Sequence, residues 1–373
     1  MRIVEINTGN KRQVEQFLEF PFRLYTDNSQ WVPPLETDAR MVLNKRRHPF
    51  YRHSEAAFFL ALDAKESLKG RLAVLYNRNY NQFNQEKTAF FYLFECEDNL
   101  EAAKCLFETA IQWARSYGLN KMIGPKGFTA LDGMGMLVKG FEHRPAFGLP
   151  YNLPYYPRLV EAVGFEPAGE MVSGCVDRNM QLPEKIHQVA ELVKERRGLH
   201  VARFESRRDL RAFAPRLKDL YNGALEGTSG NTPLTDEEVK TLADQLIWFA
   251  DPHLIKIIYK TEQPIGFLLA YPDISAAVQR THGKIFPFGW IDLLLELKRT
   301  KWININGAGM IEGHRGIGGT ALLFSEMYKS VVEDQYEHAD LVQIGTENDR
   351  MQRELRDLGI DFYKVHRIYS REL

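Results

Sequence analysis

The sequence predicts an α/β (α+β) protein of two tandem domains, each a mixed, mostly antiparallel sheet flanked by helices. Three observations predict it: the length, the alternation of strand-like with helix-like periodicity, and one element order that occurs twice. The 373 residues make two or three domains' worth of chain. Apolar residues at 44% and charged residues at 26% are the balance of an ordinary globular protein.

The first half opens with a short strand at Arg2–Ile6 and a helical stretch over Lys11–Leu24. Trp31-Val32-Pro33-Pro34-Leu35 interrupts the pattern, and a second helix follows over Leu35–Leu43. Three apolar strands come next, at Ala57–Leu62, Arg71–Tyr76 and Ala89–Phe94, with the polar Asn77–Asn84 read as a loop. Asn99 caps a helix whose Leu100, Ala103, Phe107 and Ala110 recur at helical spacing. Gly118 ends it, and a strand at Lys121–Ile123, a helix at Pro157–Val163 and a last strand complete the half.

The second half repeats the order. A strand at Leu199–Phe204, a helix at Asp209–Leu225 and a helix opened by Thr235-Asp236-Glu237-Glu238 lead into a hairpin, Leu254–Tyr259 with Ile265–Ala270. Strand Trp302–Ile311, helix Ala321–Val332, strand Leu341–Gly345, helix Met351–Leu358 and strand Phe362–Tyr369 follow. Two copies of one order point to tandem domains with a sheet each rather than one large sheet. The expected units are 1–178, a linker helix at 179–196, and 197–373.

Composition narrows the partners. Forty-eight basic residues against 49 acidic ones leave a charge of −1, so no nucleic acid is expected. Three cysteines without metal-ligand spacing read as core residues of a reduced, cytoplasmic protein, with no metal. The start lacks the apolar region of a signal peptide, and no apolar run nears the ~20 residues that span a bilayer.

Chemistry concentrates in the second half. A strand runs into Met310-Ile311-Glu312-Gly313-His314-Arg315-Gly316-Ile317-Gly318-Gly319-Thr320, and a helix follows directly. Strand, glycine-rich turn and helix N-terminus leave backbone N–H groups converging where a phosphate can sit, and Arg315 adds a charge. A P-loop would need a lysine before Thr320, and a dinucleotide fingerprint would stand early in a parallel sheet. Alone, the glycines read equally as a turn that leads a helix.

With its surroundings, this half resembles the GNAT N-acyltransferase superfamily, whose signature is Arg/Gln-x-x-Gly-x-Gly/Ala on a strand, loop and helix. Arg315-Gly316-Ile317-Gly318-Gly319-Thr320 carries the match, with Thr320 in place of the final Gly or Ala. Asn348, Leu358-Gly359-Ile360 and Tyr363 resemble the second signature, but Leu355 stands where a tyrosine acid is usual. The first half is similar in outline only. Its loop Glu97-Asp98-Asn99-Leu100-Glu101-Ala102 has three carboxylates and no glycine, so this copy should not bind CoA. The whole chain resembles bacterial tandem GNAT-like proteins.

The resemblance implies sheets splayed between the fourth and fifth strands of each copy. It implies acetyl-CoA or another acyl-CoA as co-substrate, held by Met310, Ile311, Arg315, Gly316, Ile317, Gly318, Gly319, Thr320 and Asn348. Transfer would be direct, to a small-molecule or lipid-like amine acceptor. A backbone N–H at Met310 or Ile311 would hold the oxyanion. Glu347 is the candidate base, against a reading as a solvated helix-start carboxylate. Tyr363 is the candidate donor to the leaving thiolate, against a half-buried strand residue. A catalytically silent protein that binds CoA or another ligand as sensor or scaffold is the alternative. About thirty residues separate two strands that a minimal copy joins by a short turn. In that insertion Trp290, Leu293, Leu294 and Leu297 should line a cleft wall or an interdomain contact. Residues 286–299 also read as a peripheral membrane contact, because apolar and basic residues adjoin.

Overall fold

The computed structural model describes all residues except 129–131, 178, 227–230 and 358; for 349, 350, 354 and 357 it describes the backbone alone. In the first half, β1 (Arg2–Glu5), α1 (Lys11–Leu24), α2 (Glu36–Leu43), β2 (Glu55–Leu62) and β3 (Leu68–Tyr76) lead to α3 (Arg78–Asn84). Then come β4 (Thr88–Cys96), α4 (Leu100–Ser116), β5 (Lys121–Gly124), β6 (Met136–Lys139), α5 (Tyr156–Ala162) and β7 (Glu166–Asp177). A connecting helix, α6 (Glu184–Arg197), precedes β8 (Leu199–Val201), α7 (Arg207–Ala224), α8 (Asp236–Ile247), β9 (Ile255–Lys260) and β10 (Gln263–Pro272). The insertion forms α9 (Ser275–Arg280) and α10 (Gly289–Arg299), followed by β11 (Trp302–Met310), α11 (Gly319–Glu333), β12 (His338–Gly345), α12 (Asp349–Asp357) and β13 (Asp361–Glu372).

Local chemistry sets the helix starts. Asn99 accepts from the Ala102 N–H at the head of α4, and Thr235 and Glu238 close a reciprocal capping box on α8. The segment read as a loop at Asn77–Asn84 is instead α3, because the Asn77 side chain caps it through the Tyr80 N–H. Leu358, the expected end of α12, lies outside the described residues.

The sheet corrects one expectation. The two copies share a single sheet of order β1-β2-β3-β4-β5-β13-β7-β12-β11-β10-β9-β8, with β6 beside β13. The copies exchange their last strands. β13 pairs with β5 of the first copy (Tyr369 opposite Gly124), while β7 pairs with β12 of the second (His338 opposite Asp177). The swapped strands pair antiparallel along most of their length. Exchange of a like element joins two units without new kinds of contact.

Each copy is splayed at its fourth and fifth strands. β4 and β5 pair, in parallel, only over Thr88–Phe90 and Lys121–Ile123, although β4 runs to Cys96. β11 and β12 pair over Trp302–Ile305 and His338–Leu341, then part, with β11 continuing to Met310. Separate apolar cores fill the two faces of each copy, around Phe107 and Phe58 in the first and around Leu322 and Phe267 in the second.

Candidate acyl-transfer cleft

The open end of the second splay is built by a bulge in β11. Ala308 faces Leu268 and Ile305 faces Ala270, so β11 carries one residue more than β10 across that interval. Gly307 takes φ 136 there, a conformation for which glycine is the suited residue. Beyond the bulge, Met310 lies opposite Gly266, and the Ile311 N–H donates to the Ile265 carbonyl at 2.9 Å. Because bonded and unbonded pairs alternate in an antiparallel ladder, the Met310 N–H turns away from β10, into the gap. This separates the two candidate oxyanion donors: Met310 presents its amide to the cleft, whereas the Ile311 amide is already used.

The glycine loop is likewise divided. Gly316 takes φ 78, and a Cβ there would meet nothing within 4 Å. No side chain among the described residues caps α11, which leaves its first N–H groups for a ligand. Gly316 and Thr320 line the cavity described below. At Gly318 and Gly319 the space a side chain would need is already filled. A Cβ on Gly318 would come within 2.6 Å of Val193 Cγ1 on α6, and one on Gly319 within 2.6 Å of Met310 Cε. Ile317 packs into the same core as Val193. Arg315 points its guanidinium at protein carbonyls: Nε donates to Met310 O at 3.1 Å, and Nη2 to Glu226 O at 2.8 Å and Ala224 O at 3.2 Å. It ties the loop to the end of α7 rather than reaching for an anion.

A cavity of about 1770 Å³ runs from this splay beneath α7 and α8 and on under α1 and α2 of the first copy. Such a volume exceeds the roughly 300–1,000 Å³ of a small-ligand pocket. Gly309 and Thr346 line one end, and Phe90, Tyr92 and Trp31 line the reach into the first copy. Glu347 lies on its wall, exposed, with its carboxylate folded over Gly345. Asn348 also lines it, and its side chain accepts from the Met351 N–H at the start of α12. Leu355 is buried on the wall.

Tyr363 is not on that wall. Its hydroxyl donates to Asp340 Oδ2 at 2.8 Å and accepts from Lys364 Nζ at 2.7 Å, and Lys364 also donates to the Arg144 carbonyl. Burial pushes the Tyr363 hydroxyl up and the Lys364 amine down, while Asp340 beside them opposes the second shift. The neighbouring Asp273 accepts from Ser275, Asn304, Arg144 and the Phe147 N–H. Together these groups fasten the segment after β6 across the second copy, so that Phe147 and Leu149 roof the cavity. Sequence reading missed this network. Its one local signal was the acid in Tyr271-Pro272-Asp273, at the end of an apolar strand.

No family model matches the chain. Its likeness to proteins of known structure decides the fold. A tandem GNAT protein from the clavulanic acid biosynthesis pathway superposes with a TM-score of 0.56 at 12% identity, covering 100% of this chain and 98% of that one. The chain has a tandem GNAT fold. A GCN5-related N-acetyltransferase from Sphaerobacter thermophilus, also 12% identical, superposes over 100% of this chain and 95% of its own with a TM-score of 0.51. In sequence, the chain is 24% identical to protein YghO of Escherichia coli (strain K12), over 98% of this chain and 94% of that one. It is also 24% identical to bacterial ceramide synthase of Caulobacter vibrioides, over 97% and 95%.

The two GNAT copies match residue for residue at the cleft, which exposes their difference. Cys96 stands opposite Gly70, and the Glu97 N–H donates to Lys69 O at 2.9 Å, the same pattern as Met310, Gly266, Ile311 and Ile265. In the first copy, however, the inward Cys96 N–H donates to the Tyr156 hydroxyl at 3.0 Å, and Tyr155 donates to Cys96 O at 2.7 Å. Tyr156 and Tyr25 each donate to Glu95 Oε2 at 2.7 Å, with Arg71 at 3.8 Å from Oε1. Burial pushes the Glu95 carboxyl up, and Arg71 opposes it. The first copy's cleft is stoppered.

Proposed function

We propose that the chain is an acyl-CoA-dependent N-acyltransferase that moves an acyl group directly onto the amine of a long-chain amino alcohol or a similar lipid-like acceptor. The observation that carries the reading is the joint one: a single open GNAT cleft that leads into a cavity of about 1770 Å³, whose stretch beneath α7 and α8 is apolar and aromatic (Phe213, Leu217, Leu246, Phe249). Its reach into the first copy also carries charged groups such as Glu15 and Arg40. The name of the Caulobacter relative supports the acceptor class.

The backbone amides of Gly316 and Thr320 at the head of α11 would hold the pyrophosphate, in the field of the helix dipole. An amine arrives as its ammonium, with an ordinary pKa of ~10.4, so a base must first take a proton. Glu347, on the cavity wall, supplies it directly or through one water. The free amine adds to the thioester carbonyl carbon; the C–N bond forms as the carbonyl electrons move to oxygen, where the Met310 N–H stabilises them. Collapse breaks the C–S bond. The nitrogen's second proton passes through water to the departing thiolate: Leu355 cannot donate it, and the Tyr363 hydroxyl is held by Asp340 and Lys364.

One observation favours the second reading, a silent CoA-binding protein: buried Leu355 occupies the usual acid position. Incubating the full chain with palmitoyl-CoA and a panel of amines distinguishes the two, with free thiol and product mass as readouts. Thiol release that requires a long-chain amino alcohol is the expected result. Binding of CoA with no release against any amine would leave the silent reading standing.

A further inference from the structure

The insertion between β10 and β11 has two unlike faces. Leu293 is fully buried, and with Leu297 it packs against Leu35, Ile274 and Val278. The expectation that Trp290 and Leu294 would do the same is not met: they are 46% and 42% exposed. They belong instead to an outward group with Phe286 (76% exposed), Phe288 (74%), Ile291 and Leu295. Helical spacing explains part of the division. At about 100° per residue, Leu293 and Leu297 share one side of α10, Ile291, Leu295 and Lys298 share the opposite side, and Leu294 lies on the flank between them.

Within residues 280–301 every exposed charged residue is basic. The acids of α10, Asp292 and Glu296, turn sideways onto Arg280 of α9 at 2.9 and 2.6 Å. Lys284, Lys298, Arg299 and Lys301 are exposed around the apolar group. Exposed His282 and Lys284, immediately before Phe286, also line the large cavity, so the cavity reaches the surface beside the patch.

We infer that residues 286–298 seat the protein on an anionic lipid bilayer, with Phe286, Phe288 and the outer side of α10 in the headgroup region and the lysines against lipid phosphates. Aromatic and aliphatic side chains on one face with basic residues at its rim are the composition of an interfacial helix. A second copy of the chain would bring this positive rim against itself, whereas anionic lipid complements it. The seat places the cavity mouth at the membrane, where an acceptor with a long apolar tail resides; this part rests on the acceptor class proposed above.

Flotation of the full chain with vesicles of phosphatidylcholine plus phosphatidylglycerol, against phosphatidylcholine alone, tests the seat. The wild type should float with the anionic vesicles and be released by salt. Phe286→Ser with Phe288→Ser should cut binding at least about tenfold, and Lys298→Gln or Arg299→Gln about fivefold each. These side chains are exposed, and transfer to a water-soluble amine without vesicles should be unchanged in every variant. No flotation, equal flotation of the phenylalanine variants, or a dimer in sedimentation that those variants dissociate would overturn the inference. Vesicle binding by a chain that acylates nothing would instead sink the proposed reaction and leave the seat intact.

Discussion

The two copies differ less in fold than in which groups satisfy one backbone amide. Both copies bulge the fourth strand three residues before its end, at Leu93 and Gly307, and both bond the next amide to the neighbouring strand. In the second copy the inward amide of Met310 faces a cavity; in the first, the amide of Cys96 meets the Tyr156 hydroxyl. Buried backbone groups must find a partner, so a protein can retire a binding site by supplying that partner from its own side chains. Just beyond that amide, Glu97 pairs with Arg23 and Lys69, Asp98 with Arg158 and Glu101 with the N-terminal amine.

The largest expected effect tests that asymmetry. Calorimetry should find one CoA per chain, and Gly316→Asp should weaken it at least ~100-fold, through loss of charge-assisted hydrogen bonds and added like charge. Gly316 suits this better than Gly318: its Cβ position is open, and aspartate is among the residues that tolerate positive φ. Gly318→Glu, the obvious choice from the motif, would instead drive a side chain into Val193 and disturb α6. Asp98→Asn and Glu101→Gln should leave affinity unaltered. A stoichiometry of two would break the comparison.

Acid should come next. Burial pushes His48, in the helical layer of the first copy, and His366, on the exchanged β13, down from 6.5 to about 4. Above about pH 6.5 both folded and unfolded chains hold these rings neutral. Between there and about pH 4 only the unfolded chain takes up the protons, so stability falls as pH falls, by about 2 kcal/mol per histidine near pH 5. Urea midpoints measured at neutral pH and near pH 5 check this, and equal midpoints would contradict it.

Tyr156→Phe should cost about 1–3 kcal/mol in the same unfolding assay, because the Cys96 N–H is left unsatisfied and Glu95 loses a donor. CoA affinity should not follow; if it fell, the first copy would be contributing to the site after all. The smallest effect belongs to Arg315→Ala. Its guanidinium holds Met310, Ala224 and Glu226 carbonyls, so CoA affinity should drop about tenfold or less. A loss as large as that of Gly316→Asp would mean that Arg315 leaves those carbonyls for the phosphate.

Elements with strong local signals were legible in the sequence. The continuous apolar runs of β2, β3 and β4, the period of 3.6 in α4, and the caps at Asn99 and Thr235 all act within a few residues. The glycine loop was legible for the same reason, as strand, turn and helix are contiguous. What failed was non-local. Nothing near Gly318 announces that α6, more than a hundred residues earlier, covers its outer side. Tyr363 and Leu355 both lie near the cleft in sequence order, but strand register and helix docking decide that Leu355 faces it and Tyr363 joins Asp340. At Asn77–Asn84 a cap was present, and its polar, aromatic surroundings concealed it.

Strand exchange also sets the order in which the molecule can be completed. β13 follows every other strand in the chain, yet it is the partner that covers the β5 edge of the first copy. During synthesis, therefore, the β5 edge stays open until more than two hundred residues beyond β5 have been made. An uncovered edge recruits other strands, and pairings so distant in sequence form slowly. The nascent chain is thus most exposed to mispairing in the interval before β13 is made, and its first domain is finished last.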